Sequence, residues 1–466
     1  MSAGALAYVL LQSLVVPALP TLQLALHTSQ STVSWILTAY LLSASVATPV
    51  LGRLGDMFGK ERMLVIVLCA LTAGSLVAAL TSSIDVMIAA RVLQGLGGAV
   101  FPLAFGIIRD EFPRERVAGA IGGVSTILGV GGGLGIVLAG PIVDHLNYHW
   151  LFWIPLVMTA LATVATFLWV PESPVKTPGS VNVGAGLLLS GWLVALLLGV
   201  SEGSQWGWSS ARVLGLFTAA VVLFAAWVAV ELRSRVPLVD VRLMRTPIVW
   251  WTNISALLFG FGMYSMMVVL PEFMEAPRQA GYGFAASVTG AGAALIPAAL
   301  AMIVIGMVIG PITAAIGSKV PLALGGVIGG AGFAFLAAAH SATWQVYVAT
   351  ALAGVGMGLA FSAMTNLIVE AVPSTQTGVA TGMNANIRTV GGAIGSQVVV
   401  SVITSGVAAG VLPHERGYVL SFLIMAVGMV AAGMAALLVP GAVKRARVAE
   451  GPALVDAVEP PLVEQV

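Results

Sequence analysis

Long apolar stretches closed by short polar or charged clusters follow one another along almost all of the first 440 positions. At about 20 apolar residues per membrane-crossing helix, the pattern predicts fourteen segments. They lie near 4–26, 31–51, 63–82, 85–108, 117–140, 150–170, 181–200, 212–231, 247–270, 284–309, 320–339, 343–368, 378–406 and 417–440. The fold class expected is therefore an all-α membrane protein with about 14 transmembrane helices, and the lipid bilayer is its first partner.

Composition agrees. Apolar residues make up 59% of the 466 positions and charged residues 8%, against roughly 45–50% and 25% in ordinary soluble domains. The 55 glycines suit helices that approach closely through small residues in lipid. Cys69 is the single cysteine and lies inside an apolar run, which excludes disulfides and a cysteine metal cluster. A net charge of +1, with no basic block, argues against nucleic acid. The five histidines (27, 145, 149, 340, 414) fall at loops and form no His-Glu-x-x-His, so a membrane enzyme is not the expected reading. Asp144, His145 and His149 have nominal metal spacing, but Tyr148, Trp150 and Trp153 mark that stretch as a membrane interface. No metal and no cofactor are expected. The first apolar run starts almost at Met1 without a basic leader and reads as a retained helix; a truncated start fits equally well.

Between the second and third segments stands Gly52-Arg53-Leu54-Gly55-Asp56-Met57-Phe58-Gly59-Lys60-Glu61-Arg62. Its charges forbid burial in lipid, and glycines at 52, 55 and 59 suit a tight reversal, so a short aqueous loop is expected. The order Gly-x-Leu-x-Asp-x-x-Gly-Lys-x-Arg resembles the signature loop between the second and third helices of the major facilitator superfamily of secondary transporters. Met57 stands where that family usually has a basic residue. The resemblance implies a carrier for a small molecule. It also implies that Gly52, Asp56, Gly59, Lys60 and Arg62 form a conformational switch, in which the aspartate holds a helix end and keeps one side closed.

Placing that loop in the cytoplasm fixes the others by alternation. Fifteen basic residues then face the cytoplasm, against Arg212, Arg278 and Arg416 outside. This bias is the positive-inside pattern and puts both termini in the cytoplasm.

The chain also repeats itself. Gly310 to Lys319 is a worn copy of the signature loop at an offset of 258 residues, Gly354-x-Gly356 echoes Gly95-x-Gly97 at 259, and Gly382, Gly391, Gly392 and Gly395 echo Gly122, Gly131, Gly132 and Gly135 at 260. Nearly one offset at three places predicts two six-helix pseudo-symmetric halves. An offset of about eight helices leaves two inserted central helices between the halves. The expected division is 1–170 for the first half, 171–246 for linkers and the inserted pair, 247–440 for the second half, and 441–466 for a disordered cytoplasmic tail. Six, two and six helices resemble the fourteen-helix drug:proton antiporter branch.

Within the fourth segment, Arg91-Val92-Leu93-Gln94-Gly95 is similar to the superfamily's Arg-x-x-Gln-Gly, whose arginine is implicated in coupling. An isolated cation costs roughly 2.5–3.5 kcal/mol at mid-bilayer, so Arg91 is expected to face a polar cavity; snorkelling to the outer surface or bridging of backbone carbonyls is the plainer alternative. The run around Gly131, Gly132 and Gly135 resembles the exporters' glycine-rich motif, but its proline comes only at Pro141. In the first segment Leu11 occupies the place where the branch carries an aspartate, and a register shift would bring Gln12 opposite Arg91 instead. With that acid missing, Glu272 is the candidate proton-binding group. Arg388 stands where fourteen-helix relatives keep an arginine, with a snorkel to the cytoplasmic end as its plainer reading.

Channel and receptor readings leave the paired halves unexplained. The function expected is a secondary active transporter exporting amphipathic drugs or a natural product, with protons as a further partner. The alternative is a facilitator or uptake carrier for a small metabolite. A monomer in a bacterial inner membrane is expected, the Ala, Gly, Val and Arg bias being compatible with a GC-rich bacterium.

Overall fold

The computed structural model describes residues 1–172, 182–234, 237–405 and 413–440, and all of their regular structure is helical. The tail expected at 441–466 lies outside the described residues, as do Lys176 and Arg235 of the two linkers. In chain order the helices are α1 (Ser2–Ser13), α2 (Val15–Ala25), α3 (Gln30–Phe58), α4 (Lys60–Leu80), α5 (Ile84–Gly95), α6 (Val100–Glu111), α7 (Arg114–His145), α8 (Trp150–Trp169) and α9 (Val183–Trp206). They continue as α10 (Ala211–Arg233), α11 (Val241–Met244), α12 (Pro247–Glu275), α13 (Val288–Ala293), α14 (Ile296–Ile316), α15 (Lys319–Ala338), α16 (Thr343–Ala371), α17 (Thr377–Thr404) and α18 (Glu415–Leu437). Among the described residues, thirteen stretches are long and apolar enough to cross a membrane. The 32-residue α7, whose apolar segment Gly131–Val143 is shorter, brings the total to about fourteen.

Three spans are interrupted. The first breaks at Leu14, because Pro17 has no N–H to offer the carbonyl of Ser13. The fourth passes through a 3₁₀ turn at Leu96–Ala99 between α5 and α6. Close approach explains the glycines there: a Cβ on Gly97 would stand 2.7 Å from the Tyr8 ring, and one on Gly98 2.5 Å from Thr48 Oγ1. The tenth span breaks between α13 and α14. The four-residue α11 is too short for the apolar pattern to reveal; Asp240 caps it by accepting from Arg242 N and Leu243 N.

The expected loop 52–62 is not a loop. α3 runs without interruption through Phe58, and α4 starts at Lys60. Twenty-nine residues of α-helix extend about 43 Å, well beyond a hydrocarbon core of about 30 Å. A charge cluster therefore marks where the helix leaves lipid, not where it ends. Gly59 alone makes the reversal, at φ 119°. Gly52 and Gly55 serve contact instead, with Gly52 against Gly378 and Gly55 against Leu103.

Two bundles emerge from the packing. α1, α3, α4, α5, α6, α7 and α8 pack among themselves, and so do α12 to α18. They meet along α7 with α14 and α16, and along α3 and α6 with α17. α9 pairs with α10 and lies against both α3 and α17.

Candidate substrate cavity and switch

At the Gly59 end the seam between the bundles is closed by polar groups. Asp56, fully buried, reaches across to the first turn of α17, where Val379 N donates to its Oδ2 at 3.4 Å. A helix N-terminus presents unpaired N–H groups and partial positive charge, so it suits a carboxylate. Glycine at 378 lets the two backbones meet: a Cβ there would lie 2.9 Å from the Gly52 carbonyl oxygen. Lys60, also fully buried, donates to Asp110 Oδ2 of α6 at 2.6 Å and lies 3.7 Å from Asp56 Oδ1. Arg109 Nη1 donates to Thr377 Oγ1, and its Nη2 donates to the Val372 carbonyl at 2.8 Å. Arg62 points outward and pairs with Glu172 at 3.5 Å. Arg53, Asp56 and Lys60 thus avoid lipid by burial in protein, and of the motif's charges only Arg62 stands exposed.

Inside the first bundle, Arg91 on α5 is enclosed rather than exposed to a cavity. Its Nε donates to the Ile36 carbonyl at 2.9 Å, and Nη1 donates to the Leu11 carbonyl at 3.0 Å and to Gln94 Oε1 at 2.8 Å. Gln94 in turn donates to Ser75 Oγ at 3.1 Å. The guanidinium lies 4.3 Å from the centre of the Tyr40 ring, and Tyr40 stacks on Tyr8 and donates to its carbonyl at 3.0 Å. Backbone carbonyls thus take the place of the missing acid. Leu11 contributes the carbonyl just before the helix break, and Gln12 points elsewhere, to Tyr264 Oη at 3.4 Å on α12.

The glycines of α7 are packing surfaces. Gly131 and Gly135 face α1, where Ser13 Oγ donates to the Gly131 carbonyl at 2.9 Å and a Cβ on Gly135 would meet Ser13 Oγ at 1.8 Å. Gly132 faces Met267 of α12, and Gly133 faces Ala299 of α14. Arg388 does not snorkel to a helix end. It sits in the interior of α17, 4.9 Å from the centre of the Phe361 ring. Glu272, at the far end of α12, is exposed and accepts from Tyr418 Oη of α18 at 3.1 Å. The structure does not bring it to Arg91 or Arg388.

A cavity of about 100 Å³ opens where α3 and α17 separate on the side away from Gly59. Thr38, Tyr264, Thr389, Ser396 and Gln397 supply its polar lining, and Ser201 extends it from α9. Sequence reasoning overlooked Arg109, Asp110, Tyr8, Tyr40 and Tyr264. The usable signal for the tyrosines was a polar-tipped ring inside an apolar helix, which needs a partner when buried.

The description "Major Facilitator Superfamily" fits a family model matching residues 1–396, and the chain belongs to that family, whose members carry small molecules across membranes. It is a multi-pass membrane protein. It is 29% identical over 400 residues to the multidrug resistance protein Stp of Mycobacterium tuberculosis (strain CDC 1551 / Oshkosh), covering 85% of this chain and 73% of that one. It is 29% identical over 413 residues to the tetracenomycin C resistance and export protein of Streptomyces glaucescens, covering 87% and 75%. The multidrug transporter protein MdtP of Bacillus subtilis (strain 168) is 27% identical over 379 residues, covering 80% and 69%. Among solved structures, the human organic anion transporter MFSD10 (TETRAN) superposes with a TM-score of 0.65 at 15% identity, over 93% of this chain and 97% of that one, a likeness of fold.

Proposed function

We propose that the protein is a secondary active exporter of amphipathic compounds, drugs or a natural product, working by alternating access. The observation that carries this reading is the asymmetry of the seam. Asp56, Arg109 and Gly52 hold α17 shut at one end, while α3 and α17 part around a cavity toward the other. Rocking of one bundle against the other would exchange the two ends. The named activities of the bacterial relatives support export.

The same reading divides the chain into 1–170, 171–246 and 247–440, two halves around an inserted pair, in the manner of the fourteen-helix antiporters. A detail of the backbone supports it. Gly59 and Gly317, 258 positions apart, each follow a helix at positive φ, 119° and 75°. The Gly59 end and both termini are assigned to the cytoplasm of a bacterial inner membrane on the charge bias, and the carrier is assigned as a monomer.

Growth of an expressing strain against a broad panel of toxic compounds tests export. Resistance to a chemically related group, lost when the membrane is depolarised and the pH gradient collapsed, is the expected result; no resistance or accumulation of those compounds counts against it. Proton influx is the energy source this reading assigns, with Glu272 as the proton-binding group. Glu272→Gln should then leave exchange of bound substrate intact but remove dependence on the pH gradient. A facilitator is the second reading, favoured by the carbonyl of Leu11 where an acid was expected beside Arg91. Gradient-independent equilibration in proteoliposomes would establish it.

A further inference from the structure

Among the described residues, two guanidinium groups stand inside the helix packing with no ion pair to an acid. Arg91 is fully buried, and its Nη2 has no hydrogen-bond partner. Arg388 is the twelfth residue of α17, about 17 Å along the helix from its first residue. Its guanidinium lies over Phe361, and Gly392, one turn further along α17, packs against the Tyr264 ring. Among the described residues it makes no hydrogen bond and no ion pair, and it is partly open to the space around it. Thr389 and Gly392, next to Arg388 and one turn beyond it on α17, line the cavity together with Tyr264.

Five acids of the membrane-spanning helices are engaged or placed elsewhere. Asp56 and Asp110 share Lys60 at the Gly59 end. Glu231 accepts from Leu238 N and Val239 N, and Glu272 accepts from Tyr418. Glu202 lies near the far end of α9. No ion pair links any of them to Arg91 or Arg388. A buried cation without a counter-charge is costly, and its field penalises a second cation entering the same space while favouring an anion.

We propose that the cavity takes amphipathic organic anions, molecules with an aromatic body and a carboxylate or ionised phenol. The anionic group pairs with Arg388, reached past Thr389 and Gly392, and the rings lie against Tyr264 of the lining and Phe361 under the guanidinium. A guanidinium suits this role because its planar fork binds a carboxylate through two parallel hydrogen bonds. The proposal rests on the transporter reading and adds a consequence for energy. A membrane potential negative inside drives an anion outward by about 50-fold in concentration per 100 mV, with or without a proton in exchange.

One xanthene scaffold supplies probes of three charges: carboxyfluorescein as anion, rhodamine B as zwitterion and rhodamine 6G as cation. Fluorescence polarisation with the purified full chain should show carboxyfluorescein bound at least tenfold more tightly than rhodamine 6G. Arg388→Gln should abolish that preference, and Arg388→Lys should restore part of it. In proteoliposomes loaded with carboxyfluorescein, a potassium diffusion potential negative inside should accelerate its exit. Preference for rhodamine 6G, or a folded Arg388→Gln with unchanged anion binding, overturns the proposal. Should Arg388→Gln not fold, the charge series on the unmodified protein decides. Anion selectivity in a protein that confers no resistance on cells would sink the export reading and leave this one standing.

Discussion

Lys60 and Asp110 meet at 2.6 Å, joining α4 to α6 with both side chains almost wholly withdrawn from the surface. The same ammonium lies 3.7 Å from Asp56, the carboxylate that reaches across to α17. One cation therefore stands between two buried acids and ties the first bundle to the closure of the seam.

Lys60→Met should destabilise the protein by about 3–5 kcal/mol, because it removes the cation that two buried carboxylates share. Thermal unfolding in detergent measures this directly. A melting temperature equal to that of the unmodified protein would show that the two acids are compensated by other groups.

Asp56→Asn should slow turnover while leaving substrate affinity within about twofold. The carboxylate touches α17 rather than the cavity lining, and a charge at a helix N-terminus is worth roughly 0.3–1 kcal/mol. Equilibrium binding and transport rates measured on one preparation separate these quantities. Lost affinity with unchanged turnover contradicts the switch role.

Arg91→Ala and Arg91→Lys should both abolish transport. A lysine carries the charge but not the fork that serves Ile36, Leu11 and Gln94 together. Size-exclusion profiles beside transport assays show whether α1, α3 and α5 stay assembled. Full activity in Arg91→Lys would mean that charge alone matters there.

Gly135→Ala should cost about 1–3 kcal/mol through overpacking, since the new Cβ would collide with Ser13 Oγ. Adding Ser13→Gly should recover part of the loss, as judged by unfolding temperature. Equal losses in the single and double variants would place the strain elsewhere than the α1–α7 contact.

Topology is best probed at Arg62, whose side chain is 71% exposed, and not at Lys60, which no aqueous reagent reaches. On a Cys69→Ala background, Arg62→Cys should resist an impermeant thiol reagent in intact cells and react in inverted vesicles. Labelling in intact cells would reverse the orientation assigned to every loop.

The count of spans was legible in the chain, because crossing lipid imposes a length and an apolarity that any reader can measure. So was the family, through the order of Gly52, Asp56, Gly59, Lys60 and Arg62. The ends of the helices were not legible. Lipid filters side chains by polarity, whereas a helix ends where its hydrogen bonds end, and α3 continues past its charges to Gly59. Nor could the sequence say what an intramembrane charge would meet. It placed Arg91 in an apolar helix, but only the packing of α1, α3 and α5 supplied two carbonyls where an acid was expected and turned Gln12 toward Tyr264. Arg388 is the sharpest case. Ion pairs join groups far apart in the chain, as Arg62 and Glu172 are, so the lack of an ion pair at that guanidinium among the described residues is a property of the folded bundle and not of any segment of the chain.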